Sequence, residues 1–166
     1  MYINGSANMY NTVVLRPSWL QYIIIELPSI FFCAGLFTAF YYMTFPYHYL
    51  FGIPWLVMII YLLYRAFYMQ RMRYVITEEQ IIIHHGVFSH STDYVELYRV
   101  VDYSQHQTLL QQIFGVKTVS IYSGDRNNPK LDMIGIPVKT DVVGLVRWRV
   151  EDNKKRKGIY EITNRF

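Results

Sequence analysis

Two apolar runs near the start of the chain decide what it can fold into. Trp19 to Tyr42 reads WLQYIIIELPSIFFCAGLFTAFYY, and Tyr49 to Phe67 reads YLFGIPWLVMIIYLLYRAF. Each is close to the ~20 residues that an α-helix needs to cross a bilayer. Glu26 is the one charged side chain in the first run and Arg65 the one in the second. The spacing predicts a membrane α-hairpin, with one transmembrane helix over 19–42 and a second over 49–70. Residues 43–48 are then a short extracytoplasmic connector, too small to hold a binding domain. The connector has no Lys or Arg, whereas Arg16 precedes the first span and Arg71 and Arg73 follow the second. Positive charge concentrates on the cytoplasmic side of membrane proteins. Both termini are therefore expected in the cytoplasm, with the chain a multi-pass membrane protein.

Residues 1–18 read as a cytoplasmic N-terminal arm. They lack the basic start of a secretory signal, and the apolar run behind them is too long for one. VVLRPSW looks like an extended stretch that turns into the first helix at Pro17, a residue suited to a helix's first turn. No Gly/Ser linker follows the second span: RAFYMQRMRY runs directly into the next segment. The domain behind it is expected close to the membrane, with little freedom.

From Arg71 to Phe166 the chain is about the size of one ordinary domain. Of its 166 residues 16 are Lys or Arg and 12 Asp or Glu, a net charge of +4, and only Arg16 and Arg65 precede Arg71. The domain is mildly basic, which suits an anionic membrane surface and falls short of the dense basic stripe of a nucleic-acid binder. Cys33 is the one cysteine, so no intrachain disulfide can form. Its place inside an apolar run reads as packing rather than reactivity.

Short runs rich in β-branched and aromatic residues fill the domain. RYVIT, QIIIHHGVF, STDYVELYRV, VVDYSQHQ, VKTVSIYSG and KLDMIGIPV each approach period two, the pattern of strands. Between the fourth and fifth, TLLQQIFG reads as a short helical turn. Leu109, Leu110 and Ile113 form its apolar side, and Gly115 is its stop. Asp141 is a helix N-cap, and the run behind it places Val142, Leu145, Val146 and Arg149 on one side. Residues 158–166 alternate well enough for a last strand.

Several side chains invite a chemical role. Glu26 lies about two turns into the first span, roughly 10 Å at the helical rise, where an unpaired carboxylate is costly. In an antiparallel hairpin Arg65 reaches the same depth, so the two are expected to form an intramembrane polar pair, with Tyr61 or Tyr64 as hydrogen-bond partners. The bland alternative is that each snorkels to the interface. Lys154, Lys155, Arg156 and Lys157 form the densest charge run. Their ordinary role is a solvated helix end; with Arg71 and Arg73 they are also the candidates for contact with anionic lipid. His84 and His85 are strand neighbours and point to opposite faces, so they cannot share a metal from one face. Asp102, Ser104 and His106 alternate on one strand but lack the spacing and the glycine-rich elbow of a hydrolase. No catalytic residue, metal site or cofactor is expected, and the chain reads as no enzyme.

The order of these motifs resembles a known family. A hairpin precedes RYVITEEQIIIHHGVFS, then VELYRVVDYSQHQTLLQQIFGVKTVSIYSG, then a strand and a helix. Tyr74, Ile76, Thr77, Ile81 and Gly86, the run Arg99 to Asp102, the segment Gln107 to Gly115 and the run Ser120 to Gly124 carry the likeness, with Arg16-Pro17-Ser18 at the hairpin entry. The pattern is similar to the bacterial pleckstrin-homology-like membrane proteins. The resemblance implies a mainly-β, PH-like domain over 71–166: a bent antiparallel barrel or orthogonal sandwich capped by one C-terminal helix. It says little of activity, because fold does not fix function. Where eukaryotic relatives use basic loops to hold phosphoinositides, this chain has Thr77-Glu78-Glu79, which is acidic. The expected function is a membrane-anchored cytoplasmic scaffold that binds protein partners or its own copies, a homo- or hetero-oligomer within secretion or envelope machinery. The alternative is a sensor of anionic lipid headgroups through the basic C-terminal end.

Overall fold

The helices form where the apolar runs lie. In the computed structural model, which describes residues 11–43, 47, 49–126 and 128–158, α1 covers Trp19–Tyr42 and α2 covers Tyr49–Arg71. Most of the connector and residues 159–166 fall outside the described residues, and with them the expected terminal strand. Ser18 caps α1 in extended conformation, its hydroxyl accepting from Leu20 N.

Seven short strands and two further helices make up the rest. β1 is Val13–Leu15, β2 Arg73–Ile76, β3 Gln80–His85, β4 Ser91–Glu96, β5 Val100–His106, β6 Val116–Ser123 and β7 Lys130–Pro137. Between β5 and β6 lies α3, Leu109–Phe114; α4, Val142–Arg156, closes the chain. One antiparallel sheet has the order β1-β2-β3-β4 and the other β5-β6-β7. The described strands thus form two sheets with a terminal helix rather than one closed barrel. STDYVELYRV is not one strand: Leu97–Arg99 is a 3-10 turn that leads from the first sheet into the second.

The N-terminal arm turns out to be part of the first sheet. Val13, Val14 and Leu15 pair with Ile76, Val75 and Tyr74. The hairpin is therefore an insertion between two neighbouring antiparallel strands. β1 runs toward it and β2 runs away from it, so both helices leave from one end of the domain. Strand direction then alternates. The β3–β4 tip, α3 and the end of β7 lie at the hairpin end, and the 3-10 turn lies at the far end.

Alternating strand positions build the core. Tyr74 and Ile76, Ile81 and Ile83, and Val95 face inward from the first sheet; Val119, Ile121, Leu131 and Met133 do so from the second. Val142, Val146 and Val150 bring one stripe of α4 onto both, the i, i+4, i+8 spacing of a single helix face. Asp141 caps α4 by accepting from Gly144 N at 2.9 Å. A Cβ at Gly144 would collide with that carboxylate, which accounts for a glycine in the first turn.

Arg149 stands beside this stripe and is only 2% exposed. Its guanidinium donates to Ile76 O at 2.8 Å, Thr77 O at 2.7 Å and Asn11 O at 2.6 Å. It ties α4 to the end of β2 and to the start of the N-terminal strand. Burial pulls its pKa below the usual value and Glu78 acts against this; a guanidinium remains charged all the same. Arg149→Met keeps the volume but strips donors from three carbonyls. We expect it to lower stability by about 3 kcal/mol, measured by chemical unfolding in detergent.

Candidate functional site

The first helix of the hairpin buries polar side chains, and both helices expose apolar ones. In α1 the buried residues are Gln21 and Glu26, and in α2 the buried residue is Met69. Phe31, Phe32, Leu50, Ile53, Val57 and Ile60 are all exposed. Both helices are long and apolar enough to cross a membrane.

The structure places Arg65 Nε 2.7 Å from Glu26 Oε1. The Glu26 carboxylate is nearly enclosed and the Arg65 side chain one-third exposed. Tyr22 donates its hydroxyl to Leu62 O at 2.9 Å, and the Arg65 guanidinium lies 5.9 Å from the centre of the Tyr68 ring. The expectation for Tyr64 is corrected by this arrangement, while Tyr61 stays within electrostatic reach of Arg65. The pair is flanked by Tyr22 and Tyr68, while Tyr64 stacks on Phe88 of the β3–β4 tip at 6.1 Å between ring centres. Tyr64 lies one position before Arg65 and so points around the helix from it.

One turn nearer the domain, α1 is fastened to the second sheet. Ser18 N donates to Gly135 O at 2.9 Å. Gly135 has φ +70°, and a Cβ there would lie 2.7 Å from Gln21 Cβ. Glycine satisfies both demands, the left-handed backbone and the close approach. Gln111 of α3 then reaches across: its Nε2 donates to Gln21 Oε1 at 2.9 Å and to Thr118 Oγ1 at 3.0 Å. Its Oε1 accepts from Thr108 N, one half of a capping box. Gly115 ends α3 in the left-handed region, φ +66°.

These bonds decide which side of α3 packs, and it is not the apolar one. The helix packs through Gln111, and Leu109 and Ile113 face outward, 72% and 70% exposed. In a six-residue helix the apolar side was the only cue, and the buried amide network on the other side outweighed it. Gln111 was legible as a cap residue three positions after Thr108, but its bond to Gln21, ninety residues away, was not.

Between the edges of β4 and β7 runs a groove of about 290 Å³. The Tyr74 hydroxyl bridges Ile134 O and Ile134 N at 3.2 and 3.0 Å, and Asn128 Nδ2 donates to Tyr94 O at 3.3 Å. Tyr68 and Met72 line the end nearest α2, with His85, Asp93, Lys130 and Asp132 along the walls. The charges are paired: His85 with Asp93 at 3.7 Å, and Lys130 with Asp132 at 3.0 Å. Burial pushes the Asp132 carboxyl up, but the hydroxyl of Ser120 and the ammonium of Lys130 together hold it below its ordinary value. Such a groove suits an uncharged or extended peptide segment better than a small anion. His84 faces Thr92 instead, its Nδ1 3.2 Å from Thr92 Oγ1.

The basic side chains are split between the two ends of the domain. Arg71 ends α2 and Arg73 opens β2, both exposed at the hairpin end. Lys154, Lys155, Arg156 and Lys157 lie at the end of α4, which abuts the 3-10 turn. Lys157 Nζ is 3.8 Å from Glu96 and 4.2 Å from the Tyr98 ring centre. Arg156 pairs with Asp152 at 2.6 Å. Fifteen helical residues, about 22 Å, separate this cluster from the start of α4 near the hairpin. The structure does not bring the six cations together.

Removing one partner of an enclosed ion pair strands the other. Glu26→Gln is expected to cost about 2 kcal/mol, read as a lower unfolding midpoint in detergent. Replacing Glu26 and Arg65 both by Leu is expected to recover most of that loss.

Searches of curated proteins and of solved structures returned no match. Residues 22–149 match the family model described as the bacterial PH domain. The matched stretch takes in most of α1, all of α2, both sheets from β2 onward and α4 as far as Arg149, well over half of the chain. The chain therefore belongs to the bacterial PH domain family.

Proposed function

We propose that this protein is a membrane-anchored scaffold. The hairpin crosses the bilayer, both termini and the sheets lie on the cytoplasmic side, and the domain offers strand edges to protein partners in a bacterial membrane-associated assembly. One observation carries the membrane part of the reading: the hairpin helices enclose Gln21 and Glu26 and turn their apolar side chains outward. A core helix of a soluble domain does the reverse. A surface of this kind is stable in lipid and is a liability in water. The charge pattern supports the orientation, since Arg16, Arg71 and Arg73 all sit at the domain end of the hairpin.

The interaction part of the reading rests on open edges. Among the described strands, β1 and β5 each pair on one side only. Along β5 the residues Val101, Asp102, Ser104, Gln105 and His106 are exposed, and an extended partner could add a strand there. The groove between β4 and β7 is a second such surface. The proposal is for a binding protein. A headgroup sensor built on Lys154 to Lys157 gains no support from their position at the far end of α4.

Two measurements test the proposal. The chain is expected to stay in membranes washed with alkaline carbonate. A photo-crosslinking residue at Ser104, used in intact membranes, is expected to give a protein adduct of discrete mass, either a second copy or another subunit. Release by the wash, or labelling of lipid alone, would contradict it.

A further inference from the structure

We infer that the hairpin end of the domain carries two apolar contact points that insert into the bilayer interface: the β3–β4 tip at Phe88, and the outer side of α3 at Leu109 and Ile113. The inference rests on the hairpin being embedded in a membrane, and adds that the soluble domain itself enters the lipid.

Depth is the first argument. The Phe88 ring lies near-parallel to that of Tyr64, 6.1 Å away. Tyr64 precedes Arg71, the end of α2, by seven residues, about 10 Å along the axis. The tip therefore reaches back alongside the apolar part of the helix. α3 does the same on the other side. Gln111 is bonded to Gln21, two residues past Trp19, where α1 begins.

Exposure is the second. Phe88 is 89% exposed, and its flat contact is with a residue of the hairpin. Leu109 and Ile113 are held outward, because the capping box and the buried Gln111 amide fix how α3 is rotated. Neither can turn inward without breaking those bonds. Trp19 and Leu20, also exposed, join this surface to the apolar face of α1. In water such a surface costs free energy for every methylene left wet; at an interface the same residues are favourable.

Charge is the third. No Asp or Glu occurs from Tyr103 to Gly124, which holds α3, or from His84 to Thr92, which holds the tip. Arg16, Arg71, Arg73 and Lys139 are exposed at the same end. The two apolar segments carry no carboxylate themselves and share this end of the domain with four exposed cations against the exposed Asp141, a net positive patch that matches anionic headgroups above acyl chains. A second protein chain would have no need of that pattern.

The test uses the whole chain in vesicles of phosphatidylethanolamine and phosphatidylglycerol. In a Cys33→Ser background, single cysteines replace Phe88, Leu109 or Ile113, each labelled with a nitroxide. Phe31→Cys reports the span and Lys155→Cys the far end of α4. Collision with oxygen, which favours lipid, is compared with collision with a water-soluble nickel chelate. The labels at 88, 109 and 113 are expected to favour oxygen several-fold over the label at 155, approaching the label at 31. Labels at those three positions that match position 155, while position 31 stays lipid-like, would overturn the inference and leave the membrane hairpin standing. Shielding from both reagents would mean a protein contact and overturn it as well. A label at 31 that collides freely with the chelate would overturn the membrane reading and this inference together.

Discussion

A carboxylate on an apolar helix has to be answered, and the answer organises this protein. Glu26 meets Arg65 at 2.7 Å. The contact sets α1 against α2 in one register, because a helix sliding by one residue would part the charges by 1.5 Å and turn both aside. Tyr22 on the Leu62 carbonyl and Gln21 on Gln111 continue the same polar seam toward the domain. With Glu26 and Gln21 answered inside, the outside of the hairpin is left mostly apolar and aromatic. The pair thus matters less for the energy it contributes than for the geometry it specifies.

That geometry passes directly into the sheets. α2 ends at Arg71 and β2 begins at Arg73, so the helix and the strand share Met72 as their whole connection. α1 is held at its first turn by the Ser18–Gly135 bond and by a glycine that lets the chains touch. Since β1 and β2 pair with each other, the two helix ends must also lie side by side. Hairpin and domain are fastened at three places, through both sheets and α3. A domain fastened this way holds its strand edges at a fixed height and angle to the helices, where a tethered domain would present them anywhere within a linker's reach.

Much of this was legible in the amino-acid sequence, for identifiable reasons. Apolar length alone marked α1 to its observed ends, and α2 to within a residue. Charge scarcity pointed to Glu26 and Arg65. Capping chemistry marked the end of α3 through Gly115 and the start of α4 through Asp141. Other features depend on distant partners. β1 is three residues long and exists because β2 lies beside it. Arg149 looked like one more stripe residue of α4, and only the fold shows the three carbonyls it serves. Leu109 and Ile113 read as the apolar side of α3, but six residues cannot reveal which side of a helix faces in. The Lys154 cluster read as a solvated helix end with lipid contact as the alternative, and composition alone could not choose between them. Which end of α4 lies near depends on counting every strand reversal before it.

The central claim is that hairpin and domain form one rigid unit. The distance between two nitroxides, one at Phe31 on α1 and one at Lys155 beyond the far sheet edge, tests it most directly by pulsed electron resonance in lipid nanodiscs. The account predicts a single narrow distance distribution, unchanged when the lipid composition is varied. A broad or many-peaked distribution would show a domain that swings on its helices, and would contradict it.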